Sequence, residues 1–176
     1  TTGFKKLLIR NKGLKKLINY NLKKKLSYQD IGFNIGPLIN SSGRIAKAND
    51  VVELFLSKND NKVDAIIEKI NNHNEMRKKI EHENLGLINF KKYYSKNVVF
   101  IYNKEFHVGI IGIIAAKLSK LFNKPCFIVT ESGGLLKCSI RSGSNININK
   151  TINKLISNQL IISGGGHEEA GGFTAK

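Results

Sequence analysis

The stretch from residue 97 to 142 most constrains what this chain can fold into. "NVVFIY" (97–102) is an apolar run of strand length, "VGIIGIIAAKLSKLF" (108–122) an apolar run of helix length, and "PCFIVT" (125–130) a second strand. Gly133-Gly134 then turns the chain into "LLKCSIRS", a further strand; "NKTINKLIS" follows as a short helix, and "GGFTA" begins a last strand. Strands and helices alternating through tight connections predict an α/β sheet domain from about residue 92 onward.

The preceding residues carry a helical period instead. Residues 4 to 26 read as one or two basic amphipathic helices, with Leu7, Leu8, Leu14, Leu17, Ile18 and Leu22 near helical spacing. Asn49 is the expected N-cap of "NDVVELFLSK", and Asn59 of a longer helix beyond it. Val63, Ile66, Ile67, Ile70, Ile80 and Leu87 give that longer helix an apolar stripe, interrupted by His73, Asn74 and Arg77. A helix polar in its middle suits a bridge between domains. The expected fold class is therefore α/β: a helical linker segment with a long connecting helix, then a small mixed β-sheet domain flanked by helices.

An apolar fraction of 41% over 176 residues is enough to build a core. No run approaches the length of a membrane span and no signal-peptide series opens the sequence, so a soluble, cytoplasmic protein is expected. Cys126 and Cys138 are too few and too far apart for a paired-thiol zinc site and read as small core residues. Charge is more informative. The chain has 29 Lys and Arg against 13 Asp and Glu, a net +16 that fits a polyanionic partner. Between residues 1 and 30, Lys5, Lys6, Arg10, Lys12, Lys15, Lys16, Lys23, Lys24 and Lys25 face Asp30 alone.

The segment "ISGGGHEEAGGFTAK" surrounds His167 with Gly164, Gly165, Gly166, Gly171 and Gly172. Glycine at this density implies backbone that comes close to something, or turns where a Cβ would clash. A Walker A loop would require Lys-Ser/Thr where His167-Glu168 stands, and a dinucleotide fingerprint would require more chain than follows His167. What survives is a candidate anion concavity of glycine N–H groups at a helix start, with an imidazole beside it. His107 is expected at the start of the helix in "EFHVGIIG". Arg141 is expected at a strand end before a turn, a position suited to a bidentate phosphate contact. "NIGPLINSSGR" reads as a polar, non-helical segment between helices, ending in Arg44. No Asp, Glu and His cluster has metal-ligand spacing; His73, His82, Glu75, Glu81 and Glu83 do not converge on one ion.

"IGFNIGPLINSSGRIAKANDVVELFL", "INNHNEMRKKIE", "HVGIIGIIAAKL", "SIRS" and "GGGHEEAGGFT", in that order, resemble the RecJ family of single-stranded-DNA-specific exonucleases in the DHH phosphoesterase superfamily. The resemblance runs from about residue 11 to residue 176. It implies the C-terminal end of a DHH domain at 1–58, a connecting helix at 59–91 and a DHH-associated substrate-binding domain at 92–176. It further implies 5′ to 3′ hydrolysis of single-stranded DNA in repair and recombination, with Mg²⁺ or Mn²⁺ held by an N-terminal domain outside these residues. None of the metal ligands, and no catalytic residue, would lie in the fragment. The substrate-holding positions that carry over are Asn40, Gly43 and Arg44; His107; Ser139, Arg141 and Ser142; and Gly165, Gly166 and His167.

Four residues depart from the family pattern. Leu38 stands where arginine is usual, which removes one phosphate contact; Cys138, Ile140 and Gly171 read as packing changes. Two other readings stay open at this level. One is a small DHH phosphoesterase acting on short oligonucleotides or nucleotide phosphates. The other is a non-catalytic nucleic-acid-binding domain of the kind appended to alanyl-tRNA synthetases.

Overall fold

The computed structural model describes residues 10–22, 26–143 and 146–176. Lys5, Lys6, Leu7, Leu8 and Lys23 to Lys25 lie outside them; of the expected basic cluster Arg10, Lys12, Lys15 and Lys16 are described, and Lys12 and Lys16 pair with Asp60 and Asp64. The chain divides into two compact units, Thr1–Lys79 and Ile80–Lys176.

In the first unit, helix α1 (Lys12–Asn21) starts at Asn11, whose side-chain oxygen accepts from Leu14 N–H at 2.9 Å while its amide donates to Phe55 O at 2.9 Å. Ser27 and Asp30 cap a helical turn, Tyr28–Asp30, by exchanging side-chain and backbone hydrogen bonds. The chain then passes through a π-helical turn, Ile31–Ile35, into α2 (Gly36–Ile45), followed by α3 (Asn49–Leu56) and α4 (Asp60–Gly86). Leu17, Leu54, Val63, Ile67 and Ile70 form the centre of its core. Each such side chain contributes about 1.5–3 kcal/mol when fully buried.

Three expectations change here. The segment "GPLINSSGR" is helix α2 and not a loop. Pro37 sits in the first turn of α2, directly after the π-helical turn. The two serines, which suggested a polar connection, are buried with their hydroxyls partnered: Ser41 donates to Leu38 O at 2.6 Å, and Ser42 Oγ lies 3.1 Å from His73 Nδ1. Asn49 is the first residue of α3, with Ala48 at the cap position and no side-chain cap. Asn59 does cap α4, accepting from Lys62 N–H at 3.1 Å. Along α4 the stripe holds from Val63 to Ile70, but Ile80 is half-buried and Leu87, beyond the helix, is exposed. The buried face continues instead through Asn74, Glu81 and Asn84.

The second unit takes in the end of α4, from Ile80, and then a 3₁₀ turn, Phe90–Tyr93. Strand β1 (Val99–Tyr102), helix α5 (Ile111–Phe122) and strand β2 (Cys126–Ser132) follow. Next come β3 (Leu135–Arg141), α6 (Ile148–Ser157), β4 (Ser163–Gly166) and β5 (Ala170–Ala175). The sheet runs in the order β1-β2-β3-β5-β4, with β1 parallel to β2 and all other pairs antiparallel.

Gly133 and Gly134, at φ 61° and 72°, make the two-residue β2–β3 turn, which requires positive φ at both positions. Side chains alternate across the sheet. Val129, Cys138 and Ile140 face Ile148 and Ile152 of α6, while Ser139 and Arg141 lie on the opposite face, beside Gly112 of α5. Cys126 and Cys138 are buried, as expected. The fold is thus the mixed α/β one read from the sequence.

Candidate nucleic-acid interface

Ser139 and Arg141 stand two residues apart on β3 and so share a face. The guanidinium is half-buried, and its Nη1 donates to Ser139 Oγ at 3.3 Å and to Ile140 O at 2.8 Å. Gly112 of α5 faces the pair: a Cβ there would stand 3.3 Å from Ser139 Oγ, a tight approach, and at an ordinary contact distance of 3.7 Å from Arg141 Nη2. Arg141 is therefore a pre-oriented planar fork at a rigid strand end.

Ser142 is buried, and its role is local. Its N–H donates to Glu169 O at 2.8 Å and its hydroxyl to Ile146 O at 3.0 Å, which ties the end of β3 to the β4–β5 hairpin. Gly143 follows at φ 58°, and any Cβ there would collide with the Lys124 backbone.

His167 sits exposed in that hairpin. Its N–H donates to Ala170 O at 2.8 Å, and Glu169 N–H donates to its Nδ1 at 3.3 Å. A backbone N–H can only donate, so Nδ1 accepts and Nε2 is left as the ring's N–H donor. Together, Arg141, Ser142, Gly143 and His167 line one groove of about 770 Å³ with Ser119, Lys120 and Asn123 from the end of α5. Two cations and an imidazole N–H donor thus border a single concavity, opposed by Glu169.

The remaining expected residues fall elsewhere. His107 is not at a helix start: α5 begins at Ile111, and His107 stands in the preceding turn, where it accepts from Ile110 N–H at 2.9 Å through its carbonyl. Asn84 accepts from His107 N–H at 3.1 Å, and Gly109 N–H donates to His107 Nδ1 at 3.1 Å, which gives this ring the same Nε2–H tautomer. In the first unit, Asn40, Gly43 and Arg44 lie on the last turns of α2, with Asn40 and Gly43 exposed and Arg44 half-buried. Asn40 and Arg44 are one turn apart and share a side of that helix.

Gly165 and Gly166 are in strand β4, so the expected helix start is absent. Successive N–H groups of a strand point to opposite edges and do not converge on one anion. The glycines instead permit close approach. A Cβ on Gly164 would stand 2.9 Å from Ile152 Cγ2, one on Gly171 2.5 Å from Ile152 Cδ1, and one on Gly172 2.6 Å from Cys138 O. Within the hairpin, only at Gly165 is the space open.

Sequence reading missed Ser119 and Lys120, which it absorbed into a buried helix, and Asn123, just past that helix's end. A signal existed for Asn123. It adopts the left-handed conformation at φ 51° just before Lys124-Pro125, the pattern of a helix stop.

Among the described residues no group of three or more His, Cys, Asp or Glu side chains gathers to hold a metal ion. No helix among the described residues is long and apolar enough to cross a membrane.

Residues 95–176 match the DHHA1 domain. Over 174 residues the chain is 28% identical to the single-stranded-DNA-specific exonuclease RecJ of Salmonella typhimurium, and over 161 residues 29% identical to that of Escherichia coli. These alignments take in 92% and 85% of this chain but 30% and 28% of the relatives. The chain thus spans less than a third of the curated relatives it matches. Its fold is that of the corresponding part of RecJ from Thermus thermophilus, crystallised with Mn²⁺, with a TM-score of 0.79 at 23% identity over 93% of this chain and 24% of that one.

Proposed function

We infer that these residues are a C-terminal portion of a RecJ-type exonuclease and supply its hold on single-stranded DNA. In this reading residues 1–58 complete a DHH domain, 59–91 connect, and 92–176 bind substrate. The whole enzyme hydrolyses phosphodiesters from the 5′ end with Mg²⁺ or Mn²⁺, in the cytoplasm, in DNA repair and recombination. Bond breaking belongs to metal chemistry outside these residues.

One observation carries the reading: Arg141, Lys120 and His167 border one groove in the unit that matches the DHHA1 domain. Arg141 offers its fork to phosphate oxygens, Lys120 adds a mobile point charge, and His167 donates a directed hydrogen bond from Nε2. A terminal phosphomonoester carries about −1.5 to −2 charges against −1 for a diester, so the same cations favour a 5′-phosphate end. Asn40, Gly43 and Arg44 serve as further strand contacts from the first unit, and His107, Ser139, Ser142, Gly165 and Gly166 position the backbone and the guanidinium.

The test is to incubate the 176-residue chain with a 5′-labelled oligonucleotide and Mn²⁺, in parallel with a longer form containing the upstream domain. Binding without cleavage by the short chain, and nucleotide release by the long one, is the expected result. Metal-dependent release by the short chain would overturn the division of labour.

A further inference from the structure

Beside the groove lies a second surface that the DHHA1 match barely reaches, since the match begins at residue 95. The segment "NFKKYYSKN" (89–97) puts Phe90, Tyr93 and Tyr94 among Lys91, Lys92 and Lys96, and no acidic residue occurs between Glu83 and Glu105. Phe122, the last residue of α5, is the hub of the cluster. Its ring centroid lies 6.5 Å from those of Phe90 and Tyr93, and 5.2 Å from that of Tyr94, at 78°. Lys124 fixes the turn from below, its Nζ donating to Tyr94 O at 2.6 Å and to Tyr93 O at 3.4 Å. Tyr94 nevertheless remains 62% exposed, and Lys91, Lys92 and Lys96, all three exposed, flank it in the chain.

This patch and the groove share a wall. Asn123 lines the groove, its neighbour Phe122 anchors the tyrosines, and the Lys124 backbone lies directly against Gly143 of the groove. An exposed ring packed edge-on against Phe122, flanked in sequence by exposed lysines and free of carboxylates in its own segment, has the composition of a platform on which a base stacks while lysines meet the phosphates.

We propose that Tyr94, with Lys91, Lys92 and Lys96, is a base-stacking subsite that extends the groove along a single strand. Tyr94 supplies the π face and the lysines the salt-dependent attraction; Lys124 and Phe122 are positioning residues. The proposal rests on the reading of the groove as a single-strand site. An exposed tyrosine side chain costs the fold little to replace, and leucine keeps the apolar contact with Phe122 while removing the flat face.

The experiment is a fluorescence-anisotropy titration of the 176-residue chain with oligothymidylates of about four and about twelve nucleotides, the range one single-strand module covers. Wild type is compared with Tyr94→Leu, Tyr94→Phe and Arg141→Lys. Tyr94→Leu is expected to bind the longer strand about tenfold more weakly and the shorter one as wild type does, a loss of the size of one stacked base. Tyr94→Phe should restore binding, and Arg141→Lys should weaken both lengths. If Tyr94→Leu binds both lengths like wild type while Arg141→Lys is weak, the subsite is wrong and the groove stands. If Tyr94→Leu loses both lengths equally, Tyr94 acts through the groove and the extension is wrong. Should neither Tyr94→Leu nor Arg141→Lys change anything, the groove reading falls with it.

Discussion

Gly171 and Ile152 touch so closely that a Cβ on residue 171 would stand 2.5 Å from Ile152 Cδ1: helix α6 rests directly on the glycine hairpin. The hairpin's glycines are thereby first a packing device, and their loss is expected to register in stability. At Gly172 a Cβ would meet the backbone Cys138 O at 2.6 Å, which no rotamer change can relieve, whereas at Gly165 the space is open. Gly172→Ala should therefore cost about 1–3 kcal/mol, the usual range for overpacking. Gly165→Ala should stay within about 0.5 kcal/mol. Urea unfolding of the two variants measures the difference, and equal losses would contradict the packing role.

His167 is expected to act on binding and not on the fold. Its ring is exposed and accepts from Glu169 N–H within the same turn, so His167→Ala should unfold at nearly the wild-type urea midpoint. Single-stranded DNA affinity should fall by about 1–3 kcal/mol, the worth of a hydrogen bond to a charged group. Loss of stability with unchanged affinity would assign the histidine to the turn alone.

Burial pushes the Cys126 and Cys138 thiols up from 9.0 to about 12. For an acid whose folded-state pKa is raised, the folded form retains the proton that the unfolded form releases, so stability is full below pH 9 and declines as pH rises toward 12. Both thiols should also resist alkylation at about pH 8 in the folded chain and react once it is unfolded in urea. Equal alkylation rates with and without urea would show that the cysteines are accessible.

Much of the second unit was legible because its signals are local. The positive-φ turn at Gly133-Gly134 and the strand-length runs before and after α5 need only neighbouring residues to be read, as does the cap at Asn59 in the first unit. What escaped depends on distant partners. Ser41 and Ser42 look like loop residues until the buried hydrogen bonds of α2 and His73 are known, and Asn84 looks solvated until it meets His107 N–H. The glycine run was read correctly as close approach, but what it approaches is Ile152 and the β3 backbone, which no local pattern could name. The groove was half visible: Arg141 and His167 were singled out, while Lys120 and Asn123 enter it only through the packing of α5 on the sheet.

Asn84 gives a test of that hidden polar face. Its side chain is buried, and its oxygen accepts from His107 N–H at 3.1 Å. Asn84→Ala leaves that donor without its partner and should cost about 1–3 kcal/mol. Hydrogen exchange at the His107 amide should accelerate more than at the α5 core amides. Uniform exchange would place the defect in the fold as a whole.

Whether this chain holds single-stranded DNA through Arg141 is decided by one set of dissociation constants: those of the 176-residue chain for a fluorescein-labelled single strand, for the duplex of the same sequence and for a tRNA, each with wild type and with Arg141→Lys. The single strand is expected to bind most tightly, and Arg141→Lys to weaken it about tenfold or more, because an ammonium cannot form the two parallel bonds of the guanidinium. Preference for the duplex or the tRNA, or a single-strand affinity untouched by Arg141→Lys, would contradict it.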